Sequence, residues 1–221
     1  MCLFSSRMPH VPIDRFIYTI KHRTPSVFAF INSSAAWLTR LRHAHRREKV
    51  RSRSDITGTI RGQVARVRCL EVDDAEILFG FLHKIPEERF RFFKPHDFSR
   101  EGVLRVLHSR NLLCSGVFID HKIVAYALIK LFPTRSAYLG LIASADFSGF
   151  GLGKYIWRYL IWQSAIMKIR PCATIHVENL ASLGSLRSVR PGIVSYQLPG
   201  NYLRIDIPVV LSDLHRPELE L

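Results

Sequence analysis

Three glycines at alternate positions, Gly149, Gly151 and Gly153, run directly into Lys154, with Arg158 one helical turn further on. Glycine lets a backbone turn tightly and leaves room for an anion where a Cβ would stand. The flanking residues set the context. Ala137–Ala143 is a short apolar run suited to a buried strand, and Leu152, Tyr155, Ile156, Tyr159, Leu160 and Ile166 recur at helical spacing. The expected local order is therefore strand, glycine loop, helix. The first N–H groups of that helix lack internal partners and carry the positive end of its dipole. Such a junction takes a phosphate, with Lys154 and Arg158 adding charge at its rim. A glycine turn with no ligand is the alternative.

Two familiar phosphate patterns are excluded. The dinucleotide fingerprint needs a third glycine where Lys154 stands, and no acidic residue follows at the ribose-binding distance. The Walker A pattern fails because Ser148 holds its leading glycine position and Tyr155 its magnesium-binding Ser/Thr position. The stretch Leu141–Gly153 instead resembles the strand and pyrophosphate loop of the GNAT family of N-acetyltransferases, written (Arg/Gln)-x-x-Gly-x-(Gly/Ala). It departs from that pattern at Ser148, where Arg or Gln is usual, and at Ala145, where proline is frequent.

The resemblance implies acetyl-CoA as co-substrate, bound by Ser148, Gly149, Phe150, Gly151, Leu152, Gly153 and Lys154, mainly through backbone amides. It implies that the backbone at Ile142 and Ala143 meets pantetheine and polarises the thioester carbonyl, where this strand splays from the next. Asn179 and Ser182 match an Asn-x-x-(Ala/Ser) element of the family, whose asparagine bonds a pantetheine amide. Both are equally suited to plain helix capping. The tyrosine that often follows seven residues later is Leu186 here. No metal is implied.

Acyl transfer needs a neutral amine, hence a base or a water chain, and a donor for the oxyanion. Glu178 and Tyr138 are the first choices for proton handling, ahead of His176 and Tyr126; core packing competes for each. Phe92, Phe93, Lys94 and His96 are expected near the acceptor, where Lys94 would suit an acidic or phosphorylated one. An aromatic helix end packed on the core is the competing reading.

The elements that must position these residues follow in order. A strand over 64–72 precedes a helix capped by Asp73-Asp74 and a second helix capped by Ser99. Strands 112–120 and 122–132 form a hairpin turning at Asp120-His121, then come strand 136–143 and helix 151–167. Strand 173–177, a short helix from Ser182 and strands 193–198 and 203–209 complete the domain. This order matches an α/β GNAT-type acyltransferase fold over 64–210, a mixed sheet of six to seven strands flanked by about four helices. A tail, 211–221, follows.

The 221-residue chain carries a net charge of +14. Residues 1–64 hold 12 of the 32 Lys/Arg but 3 of the 18 Asp/Glu, so much of the excess precedes the domain. Segment 1–63 reads as a basic, poorly ordered extension; a targeting segment or an upstream start are other readings. Its uncharged stretch 24–39 is too short and polar to span a bilayer. The arginines of 40–53 could meet nucleic acid or an anionic membrane. The four cysteines (Cys2, Cys69, Cys114, Cys172) have no zinc spacing, and a reducing cytoplasm is the simplest compartment. Expected partners are an amine-bearing small molecule or protein, and a second copy in a homodimer. The alternative function is a non-catalytic acyl-CoA-binding protein with a basic tail.

Overall fold

In a computed structural model, residues 39, 41–191 and 193–221 are described. Most of the extension, 1–38 with Arg40, lies outside them. The architecture is one twisted sheet with helices on both faces. Its strands are β1 (Ile56–Ile60), β2 (Gln63–Cys69), β3 (Leu112–Ile119), β4 (Lys122–Leu131), β5 (Ser136–Ala143), β6 (Arg170–His176), β7 (Ser195–Leu198) and β8 (Tyr202–Asp206). They lie in the order β1-β2-β3-β4-β5-β6-β8-β7, and every pairing is antiparallel except β5 with β6. The helices are α1 (41–51), α2 (Ala75–Lys84), α3 (Glu87–Phe90), α4 (Arg100–His108), α5 (Leu152–Met167) and α6 (Leu180–Val189).

β3 and β4 are apolar without alternation because both their faces are covered. On one side Tyr126, Leu128 and Ile142 pack with α2 and α4. On the other, Ala125, Ala127 and Ile129 pack with α5, α6 and Val50 of α1. Helix α5 is the centre of that second layer, with Trp157, Tyr159, Leu160 and Ile161 all sealed from solvent. Each such side chain contributes roughly 1.5–3 kcal/mol by leaving water. The helix ends at Lys168 in the left-handed conformation, with Ile169 N–H returning to the Ser164 carbonyl and Lys168 N–H to Ala165.

The fold reaches beyond residues 64–210 at both ends. β1 forms a hairpin with β2 through Arg61 and Gly62, both at positive φ (53° and 74°). That geometry suits a two-residue turn. β1 and α1 account for the eighth strand and one of the additional helices. α1 is anchored: Arg42 donates to the Pro133 carbonyl, Arg46 to the Met167 carbonyl at the end of α5, and Arg51 pairs with Glu71. His43 is buried against the Phe132 carbonyl. At the other end, Leu219–Leu221 lies alongside β1, where Thr59 and Arg61 donate N–H groups to the Leu219 and Leu221 carbonyls. Gly58 makes that approach feasible, since a Cβ there would sit 1.9 Å from the Leu219 oxygen.

Candidate active site

β5 and β6 pair over only three positions, Ser136–Arg170, Ala137–Pro171 and Tyr138–Cys172. Beyond Tyr138, β5 stays bonded to β4 as far as Ala143, while β6 stays bonded to β8. A wedge therefore opens between two adjacent strands in the middle of the sheet, and one edge of each is left without a strand partner.

The peptide groups that face the wedge follow from register. Phe132 N–H donates to Ser136 O, and Ser144 N–H to Val124 O. Antiparallel pairing alternates, so the even-numbered residues 138, 140 and 142 also bond to β4. The odd-numbered Leu139, Leu141 and Ala143 turn their N–H and C=O groups to the other edge. The Arg170 N–H bond to Arg135 O confirms that parity at the closed end. Ile142 therefore directs its peptide groups at Tyr126 on β4 and buries its side chain beneath α2 and α4. Ala143 does face the wedge, and Leu141 joins it. Sequence reading missed Leu141, because strand parity is a property of register. Arg89 on α3 donates to the Ala143 carbonyl at 3.0 Å and bridges the open end.

Above the wedge, the chain passes through a single 3₁₀ turn, Ala145–Phe147, stabilised by Ser144 and Asp146. It then reaches Ser148 and the loop. Gly149 and Gly151 are left-handed (φ 83° and 79°), while Gly153 lies inside α5. No side chain caps α5, so its first amides carry no side-chain partner. Leu152 is a core residue; Lys154 and Arg158 line the outer side of the first turns, half-buried and exposed. Phe150 projects from the loop, 45% exposed, with the Arg61 guanidinium 4.4 Å above its ring.

The far wall is α6. Asn179 caps it by accepting the Ser182 N–H at 3.1 Å. The cap role is thus real for Asn179, and Ser182 is the residue it caps. Leu186 is completely buried in the core, so its position supplies no proton donor.

On the face opposite α5, the wedge carries most of the polar groups. Tyr138 sits at the apex, its hydroxyl accepting from Arg204 at 3.3 Å. Glu178 follows β6 at the open end, six residues beyond Cys172, at most roughly 20 Å of chain from the apex. The two leading candidates therefore stand at opposite ends of the wedge. Glu178 pairs with Arg91, and its own N–H donates to His176 Nδ1. That bond leaves the ring proton of a neutral His176 on Nε2. Phe92 stacks on the His176 ring at 5.1 Å and Tyr202 meets it edge-on at 5.0 Å, so the His176 ring is held between two aromatic neighbours.

Tyr126 does not enter the cleft. Its hydroxyl is buried between His96 Nε2 (3.1 Å) and Cys114 Sγ (3.4 Å), and burial pushes its pKa well above the ordinary tyrosine range. Burial likewise lowers the His96 pKa and pushes the Cys114 thiol up to about 11. Phe93 lies over Gly140, where a Cβ would be 3.1 Å from the ring. Phe92 therefore lies beside the wedge on His176, Phe93 packs against the core beside Tyr126, His96 is half-buried against the Tyr126 hydroxyl, and Lys94 is exposed.

No protein-family model matches the sequence, and no curated protein matches it. Solved structures do match in fold. The GNAT domain of S. lividans PAT superposes with a TM-score of 0.62 at 18% identity, covering 71% of this chain and 97% of that one. RimL, a ribosomal L7/L12 α-N-protein acetyltransferase solved with coenzyme A, gives 0.55 at 14% identity, covering 70% and 98%. The aminoglycoside acetyltransferase AAC(6')-Ib, solved with coenzyme A and kanamycin, gives 0.51 at 13% identity, covering 65% and 94%. The chain thus has the α/β fold of the GNAT acetyltransferases, with eight strands and six helices among its described residues.

Proposed function

We propose that this protein is an N-acetyltransferase that moves an acetyl group from acetyl-CoA to a primary amine by direct attack in a ternary complex. The observation that carries the reading is the wedge: parallel pairing stops after three positions, and the strand edge it frees runs on towards the loop that leads into an uncapped, glycine-led helix. That junction offers amides for a diphosphate at one end and an unpaired strand edge for an extended, amide-bearing arm at the other. The resident groups suit acetyl-CoA. Amides from Gly149 to Lys154 would hold its diphosphate, and the peptide groups of Leu141 with the Ala143 N–H its pantetheine, the Ala143 carbonyl being taken by Arg89. The spare amide nitrogen of Asn179 and the Ser182 hydroxyl flank the same arm.

Acetyl-CoA supplies an activated thioester; the chain must supply orientation and a path for the amine's proton. In this reading Glu178 takes that proton, oriented by Arg91 and next to His176. Tyr138 at the apex is the second proton-handling group. The solved likenesses act on a protein α-amine in one case and bind kanamycin in another, so both protein and small-molecule amines belong in the acceptor screen. The free, buried thiols Cys69 and Cys114 fit a reducing cytoplasm. Among the described residues no helix is long and apolar enough to cross a membrane.

The competing reading, a non-catalytic acyl-CoA-binding protein whose basic segment 40–53 meets nucleic acid or membrane, has less support. Arg42, Arg46 and Arg51 of that segment are already engaged by the domain. Release of free CoA thiol from acetyl-CoA with a panel of amines tests the two. Acceptor-dependent release supports the enzyme. Binding of acetyl-CoA with no release for any amine, protein or small, would favour the alternative.

A further inference from the structure

The β1–β2 hairpin brings a residue to the phosphate loop that the loop's own sequence does not contain. Ser148 leaves the approach to α5 without a cation of its own, and Phe150 is an exposed aromatic ring at its tip. Over that ring, 4.4 Å from its centroid, lies the guanidinium of Arg61, a residue 89 positions earlier in the chain. Arg61 is placed firmly. Its backbone holds φ 53° in the two-residue hairpin turn, and its N–H donates to the Leu221 carbonyl. Leu221 in turn reaches the loop, its Cδ2 lying 3.3 Å from where a Gly151 Cβ would stand. Gly58 allows this strap to lie against β1. The hairpin, the strap and the loop therefore form one packed unit.

Among the described residues Arg61 pairs with no Asp or Glu, unlike Arg51, Arg66 and Arg68 on neighbouring elements. The guanidinium carbon lies over the Phe150 ring, and among the described residues its N–H groups make no side-chain hydrogen bond, which leaves them to donate to phosphate oxygens. We propose that Arg61, stacked on Phe150, is a phosphate-binding residue for the nucleotide half of the acyl-CoA, contributed by the β1–β2 hairpin. This rests on the acetyl-CoA reading above and deepens it.

The test measures binding of acetyl-CoA and of 3′-dephospho-CoA to the full chain, for the wild type and for Arg61→Gln, Arg61→Lys and Phe150→Leu. Loss of a charge-assisted contact should weaken acetyl-CoA binding by Arg61→Gln about 10- to 100-fold. Arg61→Lys, which keeps charge but loses the planar stack, should fall between. Phe150→Leu should give a smaller loss, and its melting temperature shows that folding is intact. A penalty confined to acetyl-CoA assigns the 3′-phosphate; an equal penalty on dephospho-CoA assigns the diphosphate. Wild-type binding that Arg61→Gln changes by less than twofold overturns this inference alone. Absence of acetyl-CoA binding by the wild type overturns it together with the proposed function.

Discussion

The three glycines of the loop before and into α5 look alike in sequence, yet their structures call for opposite responses to the same substitution. Gly149 and Gly151 hold φ 83° and 79°, where a side chain costs roughly 1–2 kcal/mol. At Gly149 an added Cβ meets nothing within 4 Å, so backbone strain is the whole cost. At Gly151 it also meets the end of the Leu221 side chain at 3.3 Å, a flexible neighbour that can yield a few tenths of an ångström. Gly153 is different. It lies within α5, and an added Cβ would rest at ordinary contact, 3.6 Å from Ser185 Oγ. Alanine there gains helix propensity of up to about 1 kcal/mol. For a domain of this size, each kcal/mol moves the melting temperature by roughly 2–4 °C. Thermal unfolding of the three single alanine variants should therefore show Gly149→Ala and Gly151→Ala melting about 2–8 °C below wild type. Gly153→Ala should melt at or slightly above it. Three equal losses, or an unchanged Gly149→Ala, would refute the conformational assignment of the loop.

Other expectations follow from the same geometry. Gly58→Ala forces the 219–221 strap off β1 at a cost of roughly 1–3 kcal/mol; amide exchange at Thr59, Arg61 and Leu221 should accelerate, and unchanged protection would count against the strap. Burial depresses the pKa of His43; its bond to the Phe132 carbonyl opposes this, and the charges of Arg46, Arg42 and Arg135 add to the depression. Below about pH 6.5 the unfolded chain then binds a proton that the folded chain resists, so stability falls as pH drops, by up to about 1.4 kcal/mol per unit. Urea unfolding at pH 7.5 and 5.5 should show this slope reduced in His43→Gln, and identical slopes would remove His43 from the account. Glu178→Gln should lower turnover about 100-fold or more with acetyl-CoA affinity retained, while Tyr138→Phe has the lesser effect. The reverse order would move the proton-handling role to the apex.

The strand–loop–helix core of the site was readable because each of its signals is local. Glycines mark the loop, helical spacing marks α5, and the Asp120-His121 turn shows both residues at positive φ (47° and 62°), as a tight hairpin demands. The domain's first boundary was not readable. In β1 only Ile56 and Ile60 are buried, so a five-residue edge strand left almost no alternating pattern. Its turn, Arg61-Gly62, looked like the start of the domain rather than the middle of a hairpin. Nor could arginine content alone show that α1 is docked, because Arg42 and Arg46 are held by carbonyls far away in the sequence. The parity that turns Leu141 and Ala143 towards the wedge, and Ile142 away from it, is set by pairing with β4. The approach of Arg61 to Phe150 depends on the hairpin and the strap together. Contacts of that kind arise from packing and leave no trace in spacing.

The most direct test of the central claim is thermal unfolding of the full chain with acetyl-CoA, beside ATP and NAD as other nucleotide ligands. At about a hundred times its dissociation constant, a ligand selective for the folded state adds roughly 2.7 kcal/mol. A clear rise in melting temperature is expected with acetyl-CoA, a far smaller one with ATP or NAD, and loss of the rise in Gly151→Glu. No shift with acetyl-CoA, or equal shifts with all three, would contradict it.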